Sequence, residues 1–217
     1  MVNHNISSKL CIGIVVLLSA VGALAQDHKP LPFSADSKLT KTDGKEISTG
    51  KLYMAWPKFR QDLTDVQSGF KVSAIVDYAT QKTIALNPQA QTYMEISLDQ
   101  QNQMTKSNLP IGPAFDAFKP CAGHNNWNCK KLEPQTIAGR RCDVWEIVSD
   151  VMAPITTWID TKLGFPIKTK SADGYILEYI NIREGQPAPA LFQVPQGYKK
   201  VAAPYRSNTG GHLPSPS

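Results

Sequence analysis

Cys121, His124, Cys129 and Cys142 are the residues of this sequence best suited to chemistry. Thiols close to an imidazole fit two arrangements: a disulfide with one thiol left over, or a zinc site. The zinc reading uses Cys121-x2-His124-x4-Cys129, with Cys142 as a fourth ligand, a spacing that tetrahedral sites accept. The disulfide reading depends on the compartment, because an oxidising space converts the thiols that a metal would need. Cys129 and Cys142 flank Ala138-Gly139. If that dipeptide is a two-residue hairpin turn, position 142 faces 135 and position 129 faces 148. The two thiols then lie beyond the ~7 Å Cα separation that a bridge tolerates. Cys121–Cys129 is the expected pair and Cys142 the expected free thiol, with no metal and no cofactor. The chain has no C-x-x-C to support thiol exchange.

Catalysis has little to draw on. Beyond the N-terminal segment the histidines are His28, His124 and His212, and the first and last fall in expected tails. G-x-S-x-G, H-E-x-x-H and glycine-rich phosphate loops do not occur. Glu95, Asp143, Glu146 and Glu178 sit in strand-like text, where solvated outer positions account for them. No catalytic residue is assigned and the expectation is a protein that is not an enzyme. A hydrolase or metal-binding protein using His124 and the cysteines is the reading left open beside it.

The compartment follows from residues 1–25. Lys9 precedes an apolar run from Leu10 to Leu24, which ends in Ala23-Leu24-Ala25. A cation, a short apolar stretch and an A-x-A exit form a secretory signal peptide, and the run is shorter than the ~20 residues of a membrane span. Cleavage after Ala25 and export to the periplasm of a Gram-negative bacterium are expected. Removing one lysine and no acid takes the formal charge from +5 to +4, with three cysteines remaining. The basic pairs Lys130-Lys131, Arg140-Arg141 and Lys199-Lys200 are scattered and carry no aromatic interleaving. A nucleic-acid partner is therefore not expected; a solvated surface is the default reading of these charges, with transient contact with an anionic membrane surface left open beside it.

These residues must be held by β-structure. The chain of 217 residues is 41% hydrophobic and 19% charged, which suits one globular domain and excludes a coiled coil or a disordered chain. Residues 26–32 read as an extended leader, 33–201 as the folded domain and 202–217 as a disordered tail rich in Pro, Ser and Gly. Strand-like runs recur between turn signals: Ser37–Lys41, Glu46–Ala55, Lys58–Leu63, Phe70–Asp77, Lys82–Leu86 and Thr92–Leu98. After a polar, proline-bearing stretch at 99–128 they resume as Cys129–Gln135, Cys142–Ser149, Thr156–Asp160, Pro166–Ser171 and Tyr175–Ile182, with Leu191–Pro195 closing the chain. Consecutive hairpins imply an antiparallel meander. Tyr175, Leu177 and Tyr179 alternate with Ile176, Ile180 and Ile182, so both faces of that strand read as apolar. The expected fold is all-β: one curved antiparallel half-open β-barrel of about ten or eleven strands, with a short helical or loop lid at about 99–128.

Three segments of the second half resemble a known family. They are Cys129–Glu133 with Ile137–Glu146, Trp158–Lys168, and Phe192-Gln193-Val194-Pro195-Gln196-Gly197-Tyr198. They are similar to the lipoprotein-carrier (LolA/LolB-like) superfamily of exported bacterial proteins, including a branch labelled as a domain of unknown function (DUF4412). The resemblance implies a half-open curved sheet whose concavity suits acyl chains, with 99–128 as its lid and Phe192–Tyr198 as the closing strand. The family's substantial N-terminal helix has no counterpart here. In the second of these segments Asp160 can bond turn amides, Gly164 can take positive φ, and Pro166 can open an edge strand.

The large apolar residues available to line such a hollow are Met54, Trp56, Phe59, Met94, Phe115, Phe118, Trp127, Trp145 and Trp158. Phe115 and Phe118, spaced i and i+3, are the lid candidates. The expected function is non-catalytic binding of a lipid or acylated hydrophobic ligand, a lipoprotein partner included. An envelope sensor or scaffold with a self-packed barrel is the alternative.

Overall fold

The computed structural model describes residues 29–97, 120–122, 126–149 and 153–203. Phe115, Phe118, His124, the signal segment and residues 204–217 lie outside them, as does most of the expected lid. The strands are β1 (Phe33–Lys41), β2 (Glu46–Ala55), β3 (Lys58–Asp65), β4 (Lys71–Asp77), β5 (Lys82–Asn87), β6 (Thr92–Ser97), β7 (Trp127–Ile137), β8 (Arg140–Ser149), β9 (Ile155–Asp160), β10 (Phe165–Ser171), β11 (Tyr175–Glu184) and β12 (Lys199–Lys200). Trp127 and Asn128 thus belong to β7 rather than to the lid.

Alternation explains the early strands. In β1, Phe33, Ala35, Ser37 and Leu39 are buried in turn; in β3, Phe59, Gln61, Leu63 and Asp65 are. Turn chemistry then sets their pairing. Asp43 Oδ1 accepts the Lys45 amide at 2.9 Å and Gly44 takes φ +87°, reversing the chain between β1 and β2. Ala138 (φ +48°) and Gly139 (φ +78°) make the tight β7–β8 turn, with both central residues in the left-handed region. At Gly50 the coil of the sheet brings strands together. A Cβ there would meet the Asp62 carbonyl oxygen at 1.8 Å, so no side chain fits.

All twelve strands form one curved, open sheet, in the order β12-β6-β5-β4-β3-β2-β1-β11-β10-β9-β8-β7. It is two antiparallel meanders, β1–β6 and β7–β11, joined where β1 pairs with β11. The expected single meander is therefore split, and the join comes from strands far apart in sequence. Aromatic side chains knit this join: Phe33 of β1 meets Phe165 of β10 edge-on at 5.2 Å, and Phe165 meets Tyr179 of β11 at 5.6 Å. Around them Leu52, Met54, Phe59, Leu163 and Ile167 complete the main core.

Four expectations change. The closing segment is a 3-10 turn at Pro189–Phe192 followed by the two-residue β12, parallel to β6, because prolines at 189 and 195 withhold ladder donors. Cys129 faces Ile147, not 148, because a bulge between Leu132 and Gln135 shifts the register, while Cys142 does face Gln135. Pro166 lies on β10, an interior strand, not on an edge; it sits at a bulge against β9 and outside the β10–β11 ladder, so its missing N–H leaves no gap there. In β11 the two faces are not equally covered. Ile180 is 42% exposed, and Asn181 (φ +53°) sits where the β1–β11 register shifts, after which Ile182 packs on the core.

Candidate hydrophobic binding site

A second apolar cluster links the β2–β3 turn to strands β7, β8 and β9. Ile159 of β9 is fully buried, and Trp56, Trp127 and Trp145 pack on it. Trp56 occupies the β2–β3 turn, before the cis-peptide to Pro57, and reaches both this cluster and the main core. Tyr78, in the β4–β5 turn, stacks on it at 5.2 Å and lies 5.9 Å from Phe59. The Tyr78 amide donates to the Pro57 carbonyl, which ties the two turns together. Burial pushes the Tyr78 phenol far above its ordinary range and keeps it neutral.

The edges of the cluster differ in polarity. The Trp145 indole N–H is buried and has no hydrogen-bond partner among the described residues. The Lys131 ammonium lies over the same ring at 5.5 Å and pairs with Asp143 at 2.8 Å. A buried donor without an acceptor costs roughly 1–3 kcal/mol, so the patch is apolar with one unmet polar demand.

The other sequence-predicted residues are spread out. Met54 and Phe59 are integral to the main core. Met94 is half-buried on β6, opposite Ala85. Trp158 packs on the main core, donates its indole N–H to Gln135 Oε1 at 2.8 Å and lies under Lys168 at 5.4 Å. Trp56 and Trp145 are thus brought together, whereas Met94 and Trp158 are not part of that cluster. Sequence reasoning missed Tyr78 and Ile159. Tyr78 reads as a turn residue, and only the stacking of two successive hairpin turns gives it a role. A bulky residue at a turn, after a run of alternating strand residues, is the one signal that could have found it.

The cysteines pair as expected. Cys121 and Cys129 form a disulfide with a Cα–Cα distance of 5.8 Å, and Cys142 is the free cysteine among the described residues, fully buried in the main core. Burial, with Asp160 beside it, pushes the Cys142 thiol up to about 11. Among the described residues no three His, Cys, Asp or Glu side chains gather as a metal would require. Asp160 is fully engaged: Oδ1 accepts the amides of Lys162 and Leu163 at 2.8 and 2.9 Å, and Oδ2 pairs with Arg140. A polar depression of about 60 Å³ opens beside Asp36, Lys51, Tyr53 and Asn181. There Asp36 bonds both Lys51 and Asn181 at 2.8 Å, which holds its carboxyl below the usual range.

No protein-family model matches the chain, and no curated protein sequence does. Solved structures do resemble it. An uncharacterized conserved protein from Thermus thermophilus has a TM-score of 0.54 at 10% identity, covering 90% of this chain and 99% of that one. The MucA/MucB complex of Pseudomonas aeruginosa gives 0.48 at 14% identity, over 94% of this chain and 66% of that one. A LolA superfamily protein from Nitrosomonas europaea gives 0.33 at 9% identity, over 84% and 97%. The first of these similarities shows a shared fold.

Proposed function

We propose that this protein is a non-catalytic binding protein of the bacterial periplasm that takes the acyl chain of a lipid or acylated partner against its tryptophan cluster. The observation that carries this reading is the buried Trp145 N–H, which has no hydrogen-bond partner among the described residues, inside an apolar aromatic patch. Such a patch suits an amphiphile: methylene groups gain ~0.8 kcal/mol each on leaving water, and an ester or amide carbonyl accepts the indole hydrogen. A lipoprotein presents such an acyl chain. The Cys121–Cys129 disulfide fits an exported protein.

The test is native mass spectrometry of the purified protein with lipid analysis of its organic extract, followed by titration with a fluorescent fatty acid. Bound lipid and saturable uptake are expected, with Trp145→Phe weakening uptake several-fold while the fold persists. No bound lipid together with no uptake overturns the reading. The scaffold alternative has its own support in the closely filled main core, where Phe33, Phe59 and Phe165 are all buried. In that case the protein takes up no fatty acid and acts through its surface.

A further inference from the structure

The outer face of the sheet carries an open polar depression where β1 joins β11. Ser34 and Asp36 of β1 alternate with the buried Phe33, Ala35 and Ser37, so they point outward. Their cross-strand partners share that face. Tyr53 of β2 and Arg183 of β11 flank Ser34, while Lys51 of β2 and Ile180 of β11 flank Asp36. The bulge between these two rows adds Asn181, and the depression of about 60 Å³ opens there. Lys51 and Arg183 thus stand at opposite corners over β1, with Tyr53 and the exposed Ile180 at the other two.

The charges at these corners do not cancel. Asp36 accepts Lys51 at Oδ1 and Asn181 at Oδ2, each at 2.8 Å, so both of its oxygens are engaged. Arg183 lines the depression without an ion pair among the described residues, although its charge acts on both Asp36 and Lys51. Nearby acids are already answered: Asp62, opposite Lys51 on β3, pairs with Arg60 at 2.7 Å, and Glu46 pairs with Lys38. Two cations against one carboxylate leave a single positive charge uncompensated.

We infer that this depression is a binding site for a phosphodiester, the group found in glycerophospholipid headgroups and in their soluble deacylated forms. One negative charge matches the one uncompensated positive charge. The two free oxygens of a diester lie along the Lys51–Arg183 diagonal, where the guanidinium fork and the remaining ammonium hydrogens donate to them. Its two ester arms follow the other diagonal, over Tyr53 and Ile180, whereas a carboxylate or phosphate monoester has only one arm. The Ser34 hydroxyl supplies a donor from the floor. The site lies on the outer face and does not depend on acyl binding at the tryptophan cluster.

The experiment titrates the full exported chain with glycerophosphoglycerol at fixed ionic strength, beside glycerol 3-phosphate and propionate, and follows the protein by NMR. The diester should bind saturably and more tightly than either comparison anion. Arg183→Gln should weaken it about tenfold, whereas Lys170→Gln, which removes an exposed cation from β10, should not. Equal losses in the two variants, or equal binding of all three anions, overturns the site. Sedimentation with phosphatidylcholine vesicles, with and without phosphatidylglycerol, then distinguishes the sources. Binding to the anionic vesicles that Arg183→Gln abolishes and glycerophosphoglycerol competes away assigns the site to a membrane headgroup. Diester binding without vesicle binding assigns it to a soluble phosphodiester, and absence of both overturns the proposal. Arg183→Gln should melt at an unchanged temperature; a clear loss of Tm would give Arg183 a structural role and overturn the assignment.

Discussion

Asp160 and Cys142 face each other across β8 and β9, and their burial has opposite consequences. Asp160 is 1% exposed, yet its carboxylate is stabilised by two turn amides and Arg140, which also bonds Glu184 at 3.0 Å. Asp160→Ala removes the cap of the β9–β10 turn and one partner of a part-buried cation. It should lower stability by about 2–3 kcal/mol in urea unfolding. Glu184→Ala, at a solvated position, should leave the urea midpoint nearly unchanged. The Cys142 thiol has no compensating cation strong enough to offset its burial, and its pKa rises to about 11. It should resist alkylation at pH 8 in the native protein and react fully in denaturant, as followed by mass spectrometry. Fast native labelling would show that the β8–β9 region opens. The cap role of Asp160 was legible from Asp-Thr-Lys-Leu-Gly, because the turn is local. Its pairing with Arg140 was not, because that pair joins two separate hairpin turns.

At the scale of elements, the segment after β11 does more than end the chain. Phe192 packs on Ile75 and Leu86, and Arg60 of β3 donates to the Leu191 carbonyl at 3.0 Å. Farther along, the Lys199 amide donates to Gln91 and the Val201 amide to Tyr93, which docks β12 on β6. The outer face of β4 and β5 is thus covered by a strap rather than by another sheet. Phe192→Ala should cost about 3 kcal/mol, and limited proteolysis should then cut within 186–198. Unchanged cleavage would show that the hydrogen bonds hold the strap without its aromatic anchor. The strands themselves were readable because period-2 burial and Asp-Gly or Ala-Gly turns act within a few residues. The strap reads as a strand in the sequence because Leu191, Phe192 and Val194 have strand-like composition, while what they pack against lies far earlier in the chain.

The whole molecule should respond to pH on both sides of neutrality, with different strengths. Lysine partners hold the carboxyls of Asp36, Glu95 and Glu184 below their ordinary range. Their contribution is present above the unfolded values and is lost as pH falls through the folded ones, and it is small because these groups are exposed. On the alkaline side the fold favours neutral Cys142, Tyr78 and Tyr179, whose pKa values are all raised by burial. The unfolded chain ionises these groups first, so stability should fall progressively as pH rises above 9.0, the ordinary value of the thiol. Urea midpoints measured across pH should therefore drop more steeply on the alkaline than on the acid side. A flat alkaline limb would show that these groups reach solvent.

Local features follow from the amino-acid order alone: strand periods, turn positions, the disulfide partners and the buried-or-solvated character of most side chains. Each depends on residues within a hairpin or on a short loop, where spacing fixes geometry. The long-range meetings come from the folded sheet instead: two meanders join through β1 and β11, Trp56 and Trp145 share Ile159, and Ser37, Gln61 and Tyr179 share the inner face. Those meetings depend on how far the sheet curls. The curl builds up from strand twist and from bulges such as those at Pro166 and opposite Asn181, with Gly50 allowing close backbone approach, each small and none marked by a motif.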